Sequence, residues 1–573
     1  MGSDTLQKQL QVRIGGEAGQ GLETVGQMLA KALIRSGLGV LTTQSAMSRI
    51  RGGHNYFSVY FGTEQPPAPG DRVDLLAAFT QETVDIHQDQ LGEQGLLLLG
   101  EDMDNQGIER SLQVPFSQLA EKKIVYNVLA LGVLSGLLGI DTEVAASVVR
   151  DTLGRRHEDL LKQNLTALKK GHEWLQSQQI DFQPLPGETS KADRLAVSGS
   201  QAIALGALAA GVNFCSFYPM SPATSIAVNL VGHAESAGLV VEQAEDEIAA
   251  VNMAIGAAFC GARSLVPTSG GGFALMGEGI SLAGMTETPL LIVLAQRPGP
   301  ATGLPTRTEQ GDLELALHSG HGEFPRAILT PGSQEECFYL TAQASRLSER
   351  FQSPVILLVD QYLVDSIRSV PRFDLEALPD FGQPGESEHS QETYERFALT
   401  EDGVSPRLIP GAGKDLVLAD SDEHTPDGHI TEDETVRTQM VDKRLKKMDG
   451  LRREAIPPSY QGPDQPDLLL VSWGSSQGAV QETAQMLHSE SRRVATLHFS
   501  QVWPLVSEQF LQRLQQAESV IAVESNATGQ FARLLRRETG FDIAQQVLRY
   551  DGHPLTTDFI LEKLRTASVL RAE

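Results

Sequence analysis

Cysteine is nearly missing from this chain. Only Cys215, Cys260 and Cys337 occur in 573 residues, and no two stand close together. That excludes a disulfide scaffold, a zinc knuckle and a complete four-cysteine iron–sulfur site within the chain. Positive charge is also short: 46 Lys and Arg face 73 Asp and Glu, for a net charge of −27. A chain this acidic is a poor partner for nucleic acid or an anionic membrane surface. No uncharged apolar run reaches the ~18 residues of a membrane span. The opening MGSDTLQKQLQVRIGG has no basic segment followed by a long apolar run, so no secretory signal is read there. The expectation is a cytoplasmic, soluble chain.

What is present is glycine, 54 residues of it, with only 6% aromatics. This suits an α/β protein with many tight turns. The length exceeds a single core, and roughly 150 residues per domain gives three to four domains. Leu10, Val12 and Ile14 alternate with polar residues as in a strand. A glycine cluster and the amphipathic stretch LETVGQMLAKALIRSG follow, opening an α/β domain over 1–182. A polar, proline-bearing linker occupies 183–194. A second α/β pattern covers 195–375, with apolar strand-like runs SLVP (264–267), LLIVLA (290–295) and VILLV (355–359). Alternating strands and helices predict a parallel sheet covered on both faces. Between 376 and 465 prolines, glycines and acids dominate, a composition that also fits a disordered linker, and 435–454 reads as an exposed charged helix. A third α/β domain spans 466–573. The fold class is therefore α/β: three α/β domains with mostly parallel sheets.

Four stretches carry residues suited to chemistry. GGEAGQG (15–21) offers glycines at a strand-to-helix turn, where backbone N–H groups approach an anion. It is not a clean G-x-G-x-x-G, and no acid occurs between Glu23 and Glu64 to hold a ribose, which disfavours NAD. Lys31, Arg35, Arg49, Arg51 and His54 instead suggest an anionic ligand; a plain structural turn with solvated arginines is the alternative. FYPMSP (217–222) follows a strand and frames the Ser221 hydroxyl between prolines, or is an ordinary turn. Glu245, Asp246 and Glu247 begin an apolar, small-residue helix that should be buried. They either cap the helix or, in the case of Glu247, place a functional carboxylate against the core. TSGGG (268–272) reads as a flexible loop after a strand. QRPGPATGLPTRTEQGDL (296–313) puts Arg297 at a strand end, where a guanidinium suits a substrate carboxylate, with Thr302, Thr306 and Arg307 nearby. One absence is informative. Gly311-Asp312 is followed by Leu313, and no Asn lies between Asn252 and Asn526. The GDG…Asn motif that holds Mg²⁺ and a diphosphate in thiamine enzymes is missing.

Taken together these segments, over essentially the whole chain, resemble the fused gamma–alpha subunit of 2-oxoacid:ferredoxin oxidoreductases, most like the 2-oxoglutarate type. GGEAGQG with RGGH resembles the gamma domain. FYPMSP resembles the family's YP-x-T-P loop, with Ser221 where the Thr usually stands. EDEIAAVNMAIGA, TSGGGFALM, QRPGPATGLPT and HGEFPR resemble the pyrimidine-binding domain of the alpha subunit. DEHTPDGHITED with VDKRLKKM resembles the connection of this branch. The resemblance implies a thiamine-diphosphate pyrimidine-binding fold and a transketolase C-terminal-like domain. It implies a separate beta subunit that holds the thiamine diphosphate tail with Mg²⁺ and carries a [4Fe–4S] cluster, matching both absences. It implies an (αβ)₂ assembly, ferredoxin as electron partner, and coenzyme A and a 2-oxoacid as substrates, with no nucleic acid and no membrane. Glu247 then matches the glutamate that bonds the cofactor's aminopyrimidine ring and favours its imino tautomer. Pro219, Thr268, Ser269 and Gly270 fall at the cofactor. Ser221 and Arg297 match substrate-holding catalytic positions, with Tyr218, Thr306 and Arg307 beside them. Gly16, Gly19, Gly21 and Arg51 fall where the gamma domain meets coenzyme A. Pyruvate or a branched-chain 2-oxoacid is the alternative substrate, and a non-catalytic scaffold subunit is the alternative of another class.

Overall fold

The computed structural model describes residues 9–47, 53–154, 158–187, 193–382 and 394–566. They form two compact units. One holds the described residues within 1–198, 365–372 and 556–561; the other holds those within 199–364, 373–555 and 562–573.

The first unit is built on an eight-stranded sheet in the order Ser111–Val114, Leu91–Gly100, Val73–Ala78, Gln9–Glu17, His54–Gly62, Gly39–Ser45, Ile367–Val370, Leu195–Ser198. From Ser111–Val114 to Gln9–Glu17 the pairing is parallel; beyond it every pair is antiparallel. The connection 46–53 is too short for a crossover helix, so Gly39–Ser45 and His54–Gly62 must run opposite ways. This sheet is therefore mixed. Helices Leu22–Arg35 and Tyr126–Leu137 seal one face through Val25, Met28, Leu29, Val128, Leu131 and Leu134. The alternation at Leu10, Val12 and Ile14 predicts a half-exposed strand, yet Gln11 and Arg13 are buried as well. Arg13 Nε donates to Ser58 Oγ at 3.0 Å on the adjacent strand and Nη1 meets His87 Nδ1 at 3.2 Å at the end of helix Gln81–His87, so the buried guanidinium is satisfied. Leu195–Ser198, where the sequence pattern opens the second domain, pairs with Ile367–Val370 in this sheet.

The second unit contains two sheets. The seven-stranded sheet runs Gln501–Trp503, Ala327–Leu329, Pro354–Asp360, Leu290–Gln296, Ser264–Thr268, Phe214–Phe217, Val240–Gln243. All its pairs are parallel except the edge pair of Gln501–Trp503 with Ala327–Leu329. Leu290–Gln296 and Pro354–Asp360 are buried at every residue, which explains why these runs are apolar without alternation. The five-stranded sheet runs Ser459–Gln461, Val494–Phe499, Leu468–Trp473, Ser519–Glu524, Gln545–Leu548, parallel except at Ser459–Gln461. Ile292, Leu294, Ile328 and Ile356 share one core with Leu469, Val471, Trp473 and Phe499.

The acidic connection is ordered over its described part, 394–465, and its helix is not the exposed one expected. In helix Glu434–Arg453, Lys443, Arg444 and Lys447 are buried. Lys443 Nζ donates to Glu287 Oε1 at 2.6 Å, Lys447 pairs with Glu287 Oε2, and Arg396 Nη2 donates to the Glu287 carbonyl at 2.7 Å. Arg444 holds Glu423 through two bonds of 2.9 and 2.8 Å. Burial alone would raise the Glu287 carboxyl, but Lys447, Lys443 and Arg396 outweigh it and hold it at about 2. A charge pattern read along one helix cannot show that a single carboxylate elsewhere neutralises it. No described helix is long and apolar enough to cross a membrane.

Removing Glu287 leaves three buried cations without their anion. Glu287→Ala should therefore destabilise the protein by about 3–5 kcal/mol. A thermal or urea unfolding midpoint equal to that of the wild type would refute this.

Candidate active site

Parallel strands deliver their successor loops to one edge of a sheet, and that edge is where open α/β sheets bind ligands. In the seven-stranded sheet, Phe214–Phe217 delivers Tyr218 to Pro222, Ser264–Thr268 delivers Ser269 to Gly272, and Leu290–Gln296 delivers Arg297 to Asp312. These three loops meet on one atom. The Ser221 carbonyl oxygen accepts from Ser269 Oγ at 2.9 Å and from Arg297 Nη1 at 2.8 Å. Ser221 itself is exposed and precedes a cis peptide bond to Pro222. Tyr218 and Pro219 are exposed, while Arg297 is half-buried.

Glu247 is the first residue of helix Glu247–Phe259, whose N-cap Asp246 accepts from the Ala249 N–H at 2.7 Å. The two acids thus divide the sequence alternatives. Asp246 is the cap. Glu247 is 3% exposed, and its Oε1 is buried without a hydrogen-bond partner. A β-carbon on Gly272 would stand 2.7 Å from that oxygen and 2.4 Å from Thr268 Oγ1, so only glycine leaves this approach open. The TSGGG segment is not the flexible loop expected. Thr268 and Ser269 are fully buried, and Gly270 begins the short helix Gly270–Leu275. The helix from Glu247 is not wholly buried either. Its Ala250, Val251, Ala254 and Ile255 face inward, but Ile248 and Met253 are exposed, as are Val228, Val231 and Val240 on the neighbouring helix Thr224–Ala237 and strand Val240–Gln243.

Two carboxyls that the sequence reading passed over join this cluster. A β-carbon on Gly270 would stand 2.5 Å from Asp312 Oδ2, an atom that is buried and unpartnered. Burial raises Asp312 to about 6 against the opposing charge of Arg297. Burial and the Asp312 charge raise Glu309 to about 7. The signal was available: two acids three apart, between a strand end and a helix, in a loop otherwise rich in Pro, Gly and Thr. Arg307 packs against Gly552, where a β-carbon would lie 3.0 Å from its own Cβ, and its N–H donates to the Leu304 carbonyl at 3.1 Å.

In the first unit the strand Gln9–Glu17 extends through Gly15 and Gly16, so only Gly19 (φ 95°) and Gly21 (φ 75°) form the turn. They line a cavity of about 310 Å³ with Glu17, Glu23, Gln44, Asn55 and Tyr56. Arg51, and Arg49 with it, lie outside the described residues. Among the described residues no group of His, Cys, Asp and Glu could hold a metal ion.

Comparison with known proteins gives a consistent result. Residues 205–443 match the family described as pyruvate flavodoxin/ferredoxin oxidoreductase, thiamine diphosphate-binding, and residues 11–174 match pyruvate ferredoxin/flavodoxin oxidoreductase. The alpha subunit of a 2-oxoacid:ferredoxin oxidoreductase from Sulfolobus is 30% identical over 96% of both chains. The 2-oxoglutarate oxidoreductase subunit KorA of Mycobacterium tuberculosis is 32% identical over 77% of this chain and 68% of its own. A solved 2-oxoglutarate:ferredoxin oxidoreductase from Magnetococcus marinus, with 2-oxoglutarate, coenzyme A and succinyl-CoA bound, superposes with a TM-score of 0.91 at 31% identity, covering 98% of this chain and 99% of that one.

Glu309 and Asp312 carry folded-state values above their unfolded ones, so their stabilising contribution is complete in the acid range and is lost as pH rises toward about 6 to 7. Glu309→Gln should therefore lose less stability than the wild type between about pH 4.5 and about pH 7.5. Parallel losses in the two proteins, measured as unfolding midpoints, would contradict the assignment.

Proposed function

This chain belongs to the 2-oxoacid:ferredoxin oxidoreductase alpha-subunit family, and on that premise we propose that it interconverts 2-oxoglutarate plus coenzyme A with succinyl-CoA plus CO₂, exchanging electrons with ferredoxin. The observation that carries the reading is Glu247: a buried carboxylate with an unpartnered oxygen, reached past a glycine, at the carboxyl edge of a parallel sheet. A buried acceptor without a donor is costly unless a ligand completes it, and an aminopyrimidine ring has the hydrogen-bonding edge to do so. Thiamine diphosphate, when bound, supplies the nucleophilic carbon and the electron sink for decarboxylation.

This chain's part is to hold and orient. Glu247 accepts from the pyrimidine ring and biases its tautomer, while Pro219, Thr268, Ser269 and Gly270 form the wall around it. The Arg297 guanidinium gives one N–H to the Ser221 carbonyl; its other donors are for the 2-oxoacid carboxylate, since the group presents five N–H in all. The Ser221 hydroxyl, held in place by that same carbonyl contact, meets the 2-oxo oxygen, with Tyr218 and Thr306 lining the approach and Arg307 for the distal carboxylate. The 2-oxoglutarate oxidoreductase relatives support this substrate.

We assign Mg²⁺, the diphosphate and the [4Fe–4S] cluster to a beta subunit, a reading that the absent GDG…Asn motif and the three scattered cysteines support. The exposed Val228, Val231, Val240, Ile248 and Met253 suit burial under that partner in an (αβ)₂ assembly. Coenzyme A is assigned to the cavity at Gly19 and Gly21, with Gly16 supporting the turn from within its strand and Arg51 for the anionic groups. On this reading the chain works in the cytoplasm.

Co-expression with the beta subunit, then an anaerobic assay with coenzyme A, a low-potential dye and a panel of 2-oxoacids, tests the reading. A rate confined to 2-oxoglutarate supports it; a rate on pyruvate or a branched-chain acid instead overturns the substrate. No rate from a complex holding thiamine diphosphate and cluster leaves the scaffold alternative. Glu247→Gln should cut turnover by about 10²–10⁴-fold with assembly intact; an unchanged rate would remove Glu247 from the chemistry.

A further inference from the structure

The segment from Arg297 to Arg307 carries three of the side chains assigned above to the substrate, and its first residue is tied to the Ser221 carbonyl at 2.8 Å. Residues 299–304 are all exposed. Its internal bonds are local, from Leu304 N–H to the Pro298 carbonyl at 3.1 Å and from Arg307 N–H to the Leu304 carbonyl at 3.1 Å. Such a loop is placed by what holds its ends. The upstream end is the strand Leu290–Gln296. The downstream end is held by the other sheet of the same unit.

Gln310 makes that attachment. It is 1% exposed. Its N–H donates to the Ser525 carbonyl at 2.6 Å, its Oε1 accepts from the Ser525 N–H at 2.9 Å, and its Nε2 donates to the Trp473 carbonyl at 2.9 Å. Leu468–Trp473 and Ser519–Glu524 are adjacent strands of the five-stranded sheet. Gln310 thus closes the carboxyl edge of that sheet, with its side-chain amide standing in for a backbone. Two more bonds lie just upstream. Thr308 N–H donates to the Gly552 carbonyl at 3.2 Å, and Thr308 Oγ1 donates to Asp360 Oδ1 at 3.2 Å. Downstream, Gln530 Nε2 donates to the Gly311 carbonyl at 2.7 Å. None of these donors or acceptors belongs to the residues assigned to cofactor or substrate.

We propose that Gln310 is a positioning residue for 2-oxoacid binding: by fastening the 297–312 loop to the five-stranded sheet, it sets where Arg297, Thr306 and Arg307 meet the substrate. The inference rests on the functional reading above for its substrate and on geometry alone for its attachment. Loss of the amide leaves the Ser525 N–H buried without a partner and the Trp473 carbonyl with the Ser476 hydroxyl alone, so the attachment loosens. Substrate contacts are displaced while Glu247, on another loop, stays in place.

The test uses the complete complex with the beta subunit. Gln310→Met keeps the side-chain length and removes both amide bonds. Ser472→Ala serves as the comparison, since it breaks a buried bond to His498 Nδ1 (2.9 Å) in the same sheet without touching the loop. Gln310→Met should raise KM for 2-oxoglutarate about tenfold, with thiamine diphosphate content and KM for coenzyme A unchanged and kcat little altered. Amides of 298–309 should exchange with deuterium faster in Gln310→Met than in the wild type or Ser472→Ala. An unchanged KM in an active complex overturns the positioning role, as does an equal rise in Ser472→Ala. Should the wild-type complex turn over no 2-oxoacid, the functional reading falls, and the exchange measurement alone decides: unchanged exchange in 298–309 overturns the attachment too.

Discussion

Two donors on two different strands converge on one carbonyl oxygen, that of Ser221. This contact is what turns three separate strand-end loops into a site. Parallel pairing guarantees only that the loops after Phe214–Phe217, Ser264–Thr268 and Leu290–Gln296 emerge on the same edge. It does not make them touch. The Ser269 hydroxyl and the Arg297 guanidinium supply that second condition, and both are thereby partly committed to structure. Arg297 is accordingly a bridge first and, on the proposed function, a substrate clamp with its remaining donors. Ser269 spends its hydroxyl on its neighbour.

The site that results is polarised. Toward the helix from Glu247 it is dry, with an orphan carboxylate oxygen packed over Gly272. Toward Arg297 it holds two carboxyls, Asp312 and Glu309, both raised by burial and the second also by the Asp312 charge. On the proposed function the first side receives the ring, while on the other burial favours the neutral form of the two acids beside the Arg297 cation.

Sequence patterns carried the architecture well where it depends on local periodicity. LLIVLA and VILLV are buried central strands because helices cover both faces, and an apolar run without alternation says as much. The residue types at the strand ends named Glu247, Ser221 and Arg297 correctly as residues at one edge. What the sequence hid depends on partners distant along the chain. The helix Glu434–Arg453 looks solvated until Glu287, 156 residues from Lys443, is placed against it. The apolar helix from Glu247 looks wholly buried until the fold leaves its Ile248 and Met253 exposed. Gly15 and Gly16 look like turn glycines until the strand runs on through them. Gln310 gave no signal at all, because a glutamine that pairs with backbone leaves no trace in composition or spacing.

The strand order also bears on how the chain can be made. Gln501–Trp503 pairs with Ala327–Leu329 at the edge of the seven-stranded sheet. The first unit likewise takes strand Ile367–Val370 and residues as late as 561. A ribosome emits residues in order, so neither unit is complete when its first strands emerge. Ala327–Leu329 waits some 170 residues for its neighbour, and at ordinary rates of about 5–20 residues per second that is on the order of ten seconds or more. Through that interval the nascent chain presents an unpaired strand edge. Assembly of this protein is thus a late, largely post-synthetic event, and the interval before it is when a chaperone has most to protect.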